Sequence, residues 1–582
     1  MTLSIASPAA LVIVGAALFA WQAEAVEAVP VFEGGEAAQV TDIAAPQGPI
    51  AEAIAERLAQ SDGGLPAGVQ AVYAARAFAP VWMTSDGRAT VQARALLEAL
   101  DAAPDHALSA TTYGALDLRA AMAARLGGAE AAVLEFGLTK AYLQYGRDVA
   151  SGVLVPRKAD REILHRPERP DPALLLQGLL TAADPGAYLA GLAPQDPGYR
   201  ILMQRLVEYR RLARSDAWAD GLRKGPSLRQ GDRSERVVAL RRRLIAMGDL
   251  DPVRMAEPVV TEQAEDTVLA ANDIVTDVPT QSATDPALFD QIMQAAVERF
   301  QARHGLNQDG VVGPATRAAL NSEPAERVRQ IAVNLERMRW MNRDLGRRHV
   351  MVNLAGFDMA LVEDGAPLFT SRVVIGKSRR HRTPEFSDEM EYMVVNPTWH
   401  VPNSIATEEI LPELQADPTY LERKNMRLVG SDAEPIDWEF VTPATFPGRL
   451  KQGPGAGNAL GKVKFMFPND HAIYLHDTPA KSLFRRDRRA YSHGCVRVQE
   501  PFEFAYHLLA PQQEDPRAFF DRLVRRGSEK YVNLQEHVPV HLVYRTAWVD
   551  ASGVDQFRAD IYGRDKRVFA ALEKAGVAVL SD

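Results

Sequence analysis

The spacing of apolar positions changes twice along the chain. From about Ile50 to Gly225 they recur three and four residues apart in Ala/Leu-rich segments, VQARALLEALDAA (91–103), AAVLEFGLTKAYLQYG (131–146) and RILMQRLVEYRRLA (200–213), with Pro and Gly between them. That spacing puts one apolar stripe on each of a series of helices, so residues 51–226 are expected to form a helical scaffold. Two further helical halves, within 227–322, flank residues 251–286, where eight acidic residues and only one basic residue, Arg254, accompany no sustained apolar period. Such a segment cannot bury enough surface to order itself and is expected to be a disordered insert. Val328, Ile331, Leu335 and Met338 then mark one buried face of a helix expected to act as a link over 323–346.

From His349 the period falls to two. HVMVNLAGFDMALVEDGAPLFTSRVVIG (349–376) reads as three strands with an Glu-Asp-Gly turn, and EYMVVN (391–396), KVKFMF (462–467), HAIYLH (471–476), CVRV (495–498) and VPVHLVYRTAWVD (538–550) continue the pattern before a short helix near Phe569. Residues 347–582 should therefore form a β-rich domain. Between Trp399 and Gly461 the alternation is lost to a helix-like piece, IATEEILPELQ, and many Pro and Gly. A segment of that length inside a β domain is expected to be a functional lid, over about 400–461. The fold class expected is thus α+β and multidomain.

Composition narrows the class. At 582 residues the chain exceeds one hydrophobic core, and 47% apolar with 24% charged residues is ordinary for a globular protein. The net charge of −9 argues against a dedicated nucleic-acid binder. Much of that acidity sits in the insert and in residues 26–50, a predicted disordered leader with four acidic residues and no basic one, which leaves the rest mildly basic. Ala9–Ala20 is a run of twelve apolar residues followed by Ala23-Glu24-Ala25. It is short for a bilayer span but fits the apolar region and cleavage site of a signal peptide over 1–25, implying export; membrane attachment would come only from that segment left uncleaved.

The single cysteine, Cys495, forbids an internal disulfide and any cysteine-rich metal cage. Its surroundings are Ser492-His493-Gly494-Cys495-Val496-Arg497. A thiol with a resting pKa near 8.5 needs a neighbouring imidazole, cation or amide to become a nucleophile. If residues 493–498 are extended, His493 and Arg497 flank the thiol on one face. Gly494 leaves room for a substrate carbonyl against the backbone amides at 494 and 495, an oxyanion hole in outline. A second imidazole, His476, precedes Ser492 with fifteen residues between them. Either histidine can reach the thiol from sequence alone. An isolated cysteine is more often inert packing, and the His and Cys are also types that zinc accepts, although no His-Glu-x-x-His motif is present. Arg489 and the other cations of the 477–491 loop, with Tyr474, Trp399 and Trp438, are candidates for substrate contact.

The spacing of His476 from Ser492-His493-Gly494-Cys495 resembles the signature of the L,D-transpeptidase family. NLERMRWMNRDLGRRHVMVN, NALGKVKFMFPN and YLHDTPAKSLFRRDRRAYSHGCVRV extend the likeness to its large Gram-negative members, which combine a helical scaffold, a peptidoglycan-binding module and a lid-bearing catalytic domain. The halves at 227–322, with Leu228, Gly231, Asp232, Val237, Leu240 and Leu244 in one and Phe300, Gln301, Gly305, Asp309, Gly310 and Thr316 in the other, resemble the small three-helix peptidoglycan-binding domain. The resemblance implies Cys495 as nucleophile, His476 as general base, His493 in support and backbone at Gly494 in the oxyanion hole; Arg497, Tyr474, Trp399, Ser492 and Arg489 are the candidates for substrate contact beside them. It further implies no metal or cofactor, peptidoglycan stem peptides and glycan as partners beside other cell-wall synthesis enzymes, and a periplasmic location. Water or a protein lysine as acceptor, or wall binding without catalysis, are the alternatives it leaves.

Overall fold

The computed structural model describes residues 45–577 apart from 61–63, 125, 215–217, 219–220, 252–284, 342–343, 378–379 and 431–435. The expected signal peptide, nearly all of the acidic leader and nearly all of the acidic insert lie outside the described residues. Among the described residues no helix is long and apolar enough to cross a membrane. The architecture is α+β, with four hydrophobic cores among the described residues.

The scaffold core is helical. Three of its helices, Pro172–Thr181, Pro185–Gly191 and Pro197–Ala213, begin at an Asp-Pro pair, in which Asp171, Asp184 or Asp196 accepts from the first free amides and proline occupies the first helical position. The helix Pro324–Trp340, expected only to link, is a core element that packs along Pro197–Ala213. Its apolar face supplies Val328, Ile331, Ala332, Leu335 and Trp340 to the scaffold. Its other face is buried too, because its charges are paired: Glu336 holds Arg339 at 2.8 Å and accepts from Leu154 N, also at 2.8 Å. A hairpin of Ala547–Val549 with Asp555–Phe557 and the helix Arg564–Lys574 join the same core through Ala547, Phe557, Val568 and Leu572. The β-rich domain therefore gives up this last segment to the scaffold.

In the module over 222–320, the residues that carry the resemblance build the fold. The Gln301 side chain donates to Asp309, Val311 O and Thr316, and accepts from Gly310 N at 2.9 Å, so the Asp-Gly turn is tied to the preceding helix.

The β-rich domain contains β1 (Arg348–Asn353), β2 (Asp358–Glu363), β3 (Ala366–Gly376), β4 (Phe386–Val395), β5 (Trp399–His400), β6 (Met426–Val429), β7 (Arg449–Gln452), β8 (Val463–Met466), β9 (Leu475–His476), β10 (Ala490–Ser492), β11 (Val496–Val498) and β12 (Lys530–Val543). The main sheet runs β10-β3-β11-β9-β8-β4-β12-β1-β2, and β2 pairs again with β3, so eight strands form a closed ring with β10 added beside β3. Closure leaves the ring without a free edge. Its interior holds Val352, Ile375, Met393, Phe465, Leu475, Val496 and Val498, with Phe504 and Phe520 from two covering helices. The insertion after β4 folds around its own small core of Ile410, Leu411, Leu414, Trp438 and Leu450, on a sheet of order β5-β7-β6. The helix within it contains a single π turn at Ala406–Ile410.

Candidate active site

Three strands of the ring, β8, β9 and β11, place the candidate groups. Val463 and Phe465 of β8, Leu475 of β9 and Val496 and Val498 of β11 point into the core, so the intervening positions face outward. Register fixes their neighbours: Lys464 stands opposite His476, and His476 opposite Arg497 on the parallel β11. Val496 N donates to Tyr474 O at 3.1 Å, which sets Cys495 beside Tyr474. Lys464, Tyr474, His476, Cys495 and Arg497 thus share one face.

Cys495 is half-buried. Its sulfur donates to Ala472 O at 3.5 Å and receives hydrogen bonds from the hydroxyl and the amide of Tyr474. Burial pushes the thiol up; the Tyr474 hydrogen bonds and the charges of Arg497 and Lys464 pull against it. Burial likewise lowers both cations. Among the described residues no carboxylate pairs with Arg497 or Lys464, and Arg497 Nε has no hydrogen-bond partner. Arg497 is half-buried, and a carboxylate is the ligand its guanidinium fits.

His476 is buried, and its Nδ1 donates to the Asp477 carbonyl at 2.5 Å. Because a carbonyl only accepts, this bond puts the ring proton on Nδ1 and leaves Nε2 as a base. Burial, followed by the charge of Arg497, pushes the imidazole down to about 3. The Asp477 carboxylate steadies this arrangement, accepting from Lys462 N at 2.8 Å and from Lys481 Nζ at 2.7 Å.

The turn before Cys495 departs from the extended geometry expected over 493–498. Gly494 has φ +123°, a region that favours glycine, so His493 is turned away from the thiol face. His493 Nε2 bonds Glu409 Oε1 of the insertion at 2.6 Å, and its ring meets His381 at 4.7 Å. Glu409 is 3.5 Å from Lys377 as well. Gly494 N–H is given to Ser492 Oγ at 3.2 Å, which removes it from an oxyanion hole; the Cys495 amide has no acceptor among the described residues.

Four expected substrate contacts are placed elsewhere. Ser492 is buried and its hydroxyl donates to Cys495 O at 2.5 Å, bracing the turn. Arg489 spends its donors on the carbonyls of Val373, Arg486 and Phe357 and lies over the Phe357 ring, where burial brings it down to about 10. Trp399 and Trp438 pack in the insertion core. Of the loop cations, Lys481 is tied to Asp477 and Arg486 to Tyr491. Sequence reasoning passed over Lys464, although the alternation in Val463-Lys464-Phe465 marked it as outward-facing beside His476. It also missed Glu409, His381 and Thr383, which reach the site from distant segments and carry no local signal. Among the described residues no three His, Cys, Asp or Glu side chains gather as a metal would require.

Comparison with known proteins bears on this site. Residues 347–532 match the sequence model of the L,D-transpeptidase catalytic domain, residues 67–206 that of a scaffold domain, and residues 279–320 that of a peptidoglycan binding domain. A Haemophilus influenzae protein, provisionally named an L,D-transpeptidase, is 34% identical over 254 residues, which are 42% of this chain and 50% of that protein. The match thus spans about half the length of that relative. Among solved structures, an L,D-transpeptidase from Xylanimonas cellulosilytica aligns at 16% identity and a TM-score of 0.16, over 55% of this chain and 99% of the other. One from Stackebrandtia nassauensis aligns at 13% and 0.20, over 56% and 96%.

Proposed function

We propose that this chain, which carries an L,D-transpeptidase catalytic domain, cross-links peptidoglycan through a thioester on Cys495. The observation that carries the reading is the shared face of Cys495, Tyr474, His476 and Arg497 on adjoining strands. His476 Nε2 takes the thiol proton as the sulfur attacks the carbonyl of the third residue of a tetrapeptide stem. The carbonyl oxygen becomes anionic and is met by the Cys495 amide. D-Ala then leaves with the proton from His476, the C–N bond breaks, and the thioester remains. The side-chain amine of a second stem peptide loses its proton to His476 and displaces the sulfur, which takes that proton back as the free thiol, giving a bond between two third-position diamino acids. General base catalysis of this kind contributes roughly 10²–10⁴-fold.

Burial raises the thiol and lowers the imidazole, which favours a neutral pair at rest and proton transfer during attack over a preformed thiolate–imidazolium pair. Arg497 and Lys464 supply the positive face for a stem carboxylate. The insertion, tied to the turn before Cys495 by Glu409 and His493, acts as a lid over this face, excluding water from the thioester. Export to the periplasm, by the apolar segment near residue 9, brings the enzyme to that substrate.

The test uses sacculi incubated with purified protein, digested and analysed by mass. Third-to-third cross-links are expected from wild type and none from Cys495→Ala; a carbapenem adduct should likewise form on wild type alone. An undiminished adduct or product on Cys495→Ala sinks the reading. Tripeptide stems without cross-links, or protein-linked fragments, would assign water or a protein lysine as acceptor.

A further inference from the structure

The carbonyl of Gly494 and the amide of Cys495 belong to one peptide unit. In a planar trans peptide C=O and N–H point in opposite directions, so whatever holds the Gly494 carbonyl also aims the Cys495 amide. That holder is Thr383. Its hydroxyl is completely buried, donates to Gly494 O at 2.6 Å and accepts from Gly376 N at 3.0 Å. Its own backbone is fixed in turn. The Thr383 carbonyl accepts from Arg564 Nη2 at 2.9 Å, and its amide donates to the Tyr562 hydroxyl at 3.3 Å, which itself donates to Gly376 O at 2.6 Å. Arg564 is fully buried and pairs with Glu385 at 3.1 Å and with Glu162 of the scaffold at 3.2 Å. Two glycines make the approach possible. A Cβ on Gly376 would collide with the His381 carbonyl, and Gly494 adopts the φ of +123° that the turned peptide needs.

We propose that Thr383 is the positioning residue of the oxyanion hole: its hydroxyl, anchored through Arg564 to the scaffold, turns the Gly494–Cys495 peptide so that the Cys495 amide faces the reacting carbonyl. This rests on the reading of Cys495 as an acyl-transfer nucleophile. The ion network between the two large domains then reaches the reacting centre through one hydroxyl, and Thr383 touches no substrate.

Two reactions of the same thiol separate this role from a general structural one. Carbapenem acylation forms the S–C bond and breaks the lactam C–N bond through an anionic carbonyl oxygen, and the nitrogen ends with the thiol proton. Iodoacetamide alkylation displaces iodide from a saturated carbon and builds no oxyanion. Thr383→Val removes the hydroxyl at nearly constant shape and is expected to slow acylation roughly 10–100-fold while alkylation keeps its wild-type rate. Thr383→Ser restores acylation. Tyr562→Phe, which loosens the support without touching Gly494, should slow acylation selectively as well and serves if the valine variant does not fold. Acylation at the wild-type rate in Thr383→Val, or equal loss of both reactions, overturns the proposal. If wild type itself resists acylation, the reading of Cys495 fails, and this inference with it.

Discussion

Burial acts in opposite senses on the two groups that must exchange a proton. It lifts the Cys495 thiol and drives His476 to about 3, so near neutrality the sulfur keeps its proton and the ring carries none on Nε2. The thiolate fraction therefore grows with pH up to the raised value of the folded thiol. Alkylation of Cys495 by iodoacetamide is expected to keep accelerating above pH ~8.5, the ordinary thiol value. A rate that levels off below pH 7 would instead reveal a standing thiolate and refute the neutral pair. Much at this scale was legible beforehand, since the Ser-His-Gly-Cys string and the spaced His476 announced themselves by type and interval. Arg489 was not, because a positive charge in a loop looks the same whether it faces substrate or, as here, three backbone carbonyls. Ser492 misled for a similar reason, its hydroxyl being closed within the turn.

Two short elements meet through His493 and Glu409, the turn at 492–495 and the insertion helix. Burial opposes ionisation of Glu409, but the hydrogen bond and charge of His493, with the charge of Lys377, hold its carboxyl below the usual range. A carboxyl depressed in this way gives its full contribution above its ordinary value near 4.3 and loses it as pH falls through the lowered one. At neutral pH the Glu409 carboxylate is therefore ionised. Glu409→Gln is expected to speed amide hydrogen exchange over 403–416 at pH 7 while leaving β8 unchanged; identical exchange in both proteins would show that the contact does not hold the insertion. The helical pattern at 405–415 was readable because its apolar positions keep helical spacing. The extended path assumed for 493–498 was not realised, since Gly494 permits a conformation that alternation cannot encode.

Across the whole molecule the domains meet on buried charge. Arg564 and Glu385, both under 2% exposed, pair at the junction, and Arg337 holds Asp565 at 2.5 Å beside them. Removing one partner strands the other without water. Arg564→Met is expected to lower the melting temperature by roughly 10 °C, the loss of a buried pair costing about 3–5 kcal/mol. Adding Glu385→Leu should recover part of that loss, and a single variant melting within a degree or so of wild type would contradict the account. Domain classes were legible from period alone, helical then alternating. The central role of Pro324–Trp340 was not, because charged residues on its second face looked solvent-bound until Glu336, Arg337 and Arg339 found partners. One consequence concerns the order of folding. The scaffold core near residue 50 is completed by Val568 and Leu572, more than five hundred residues downstream. Contacts so distant in sequence form late and slowly. The scaffold, synthesised before the β-rich domain, is thus finished after it, and its maturation waits until residues near 570 are free to dock.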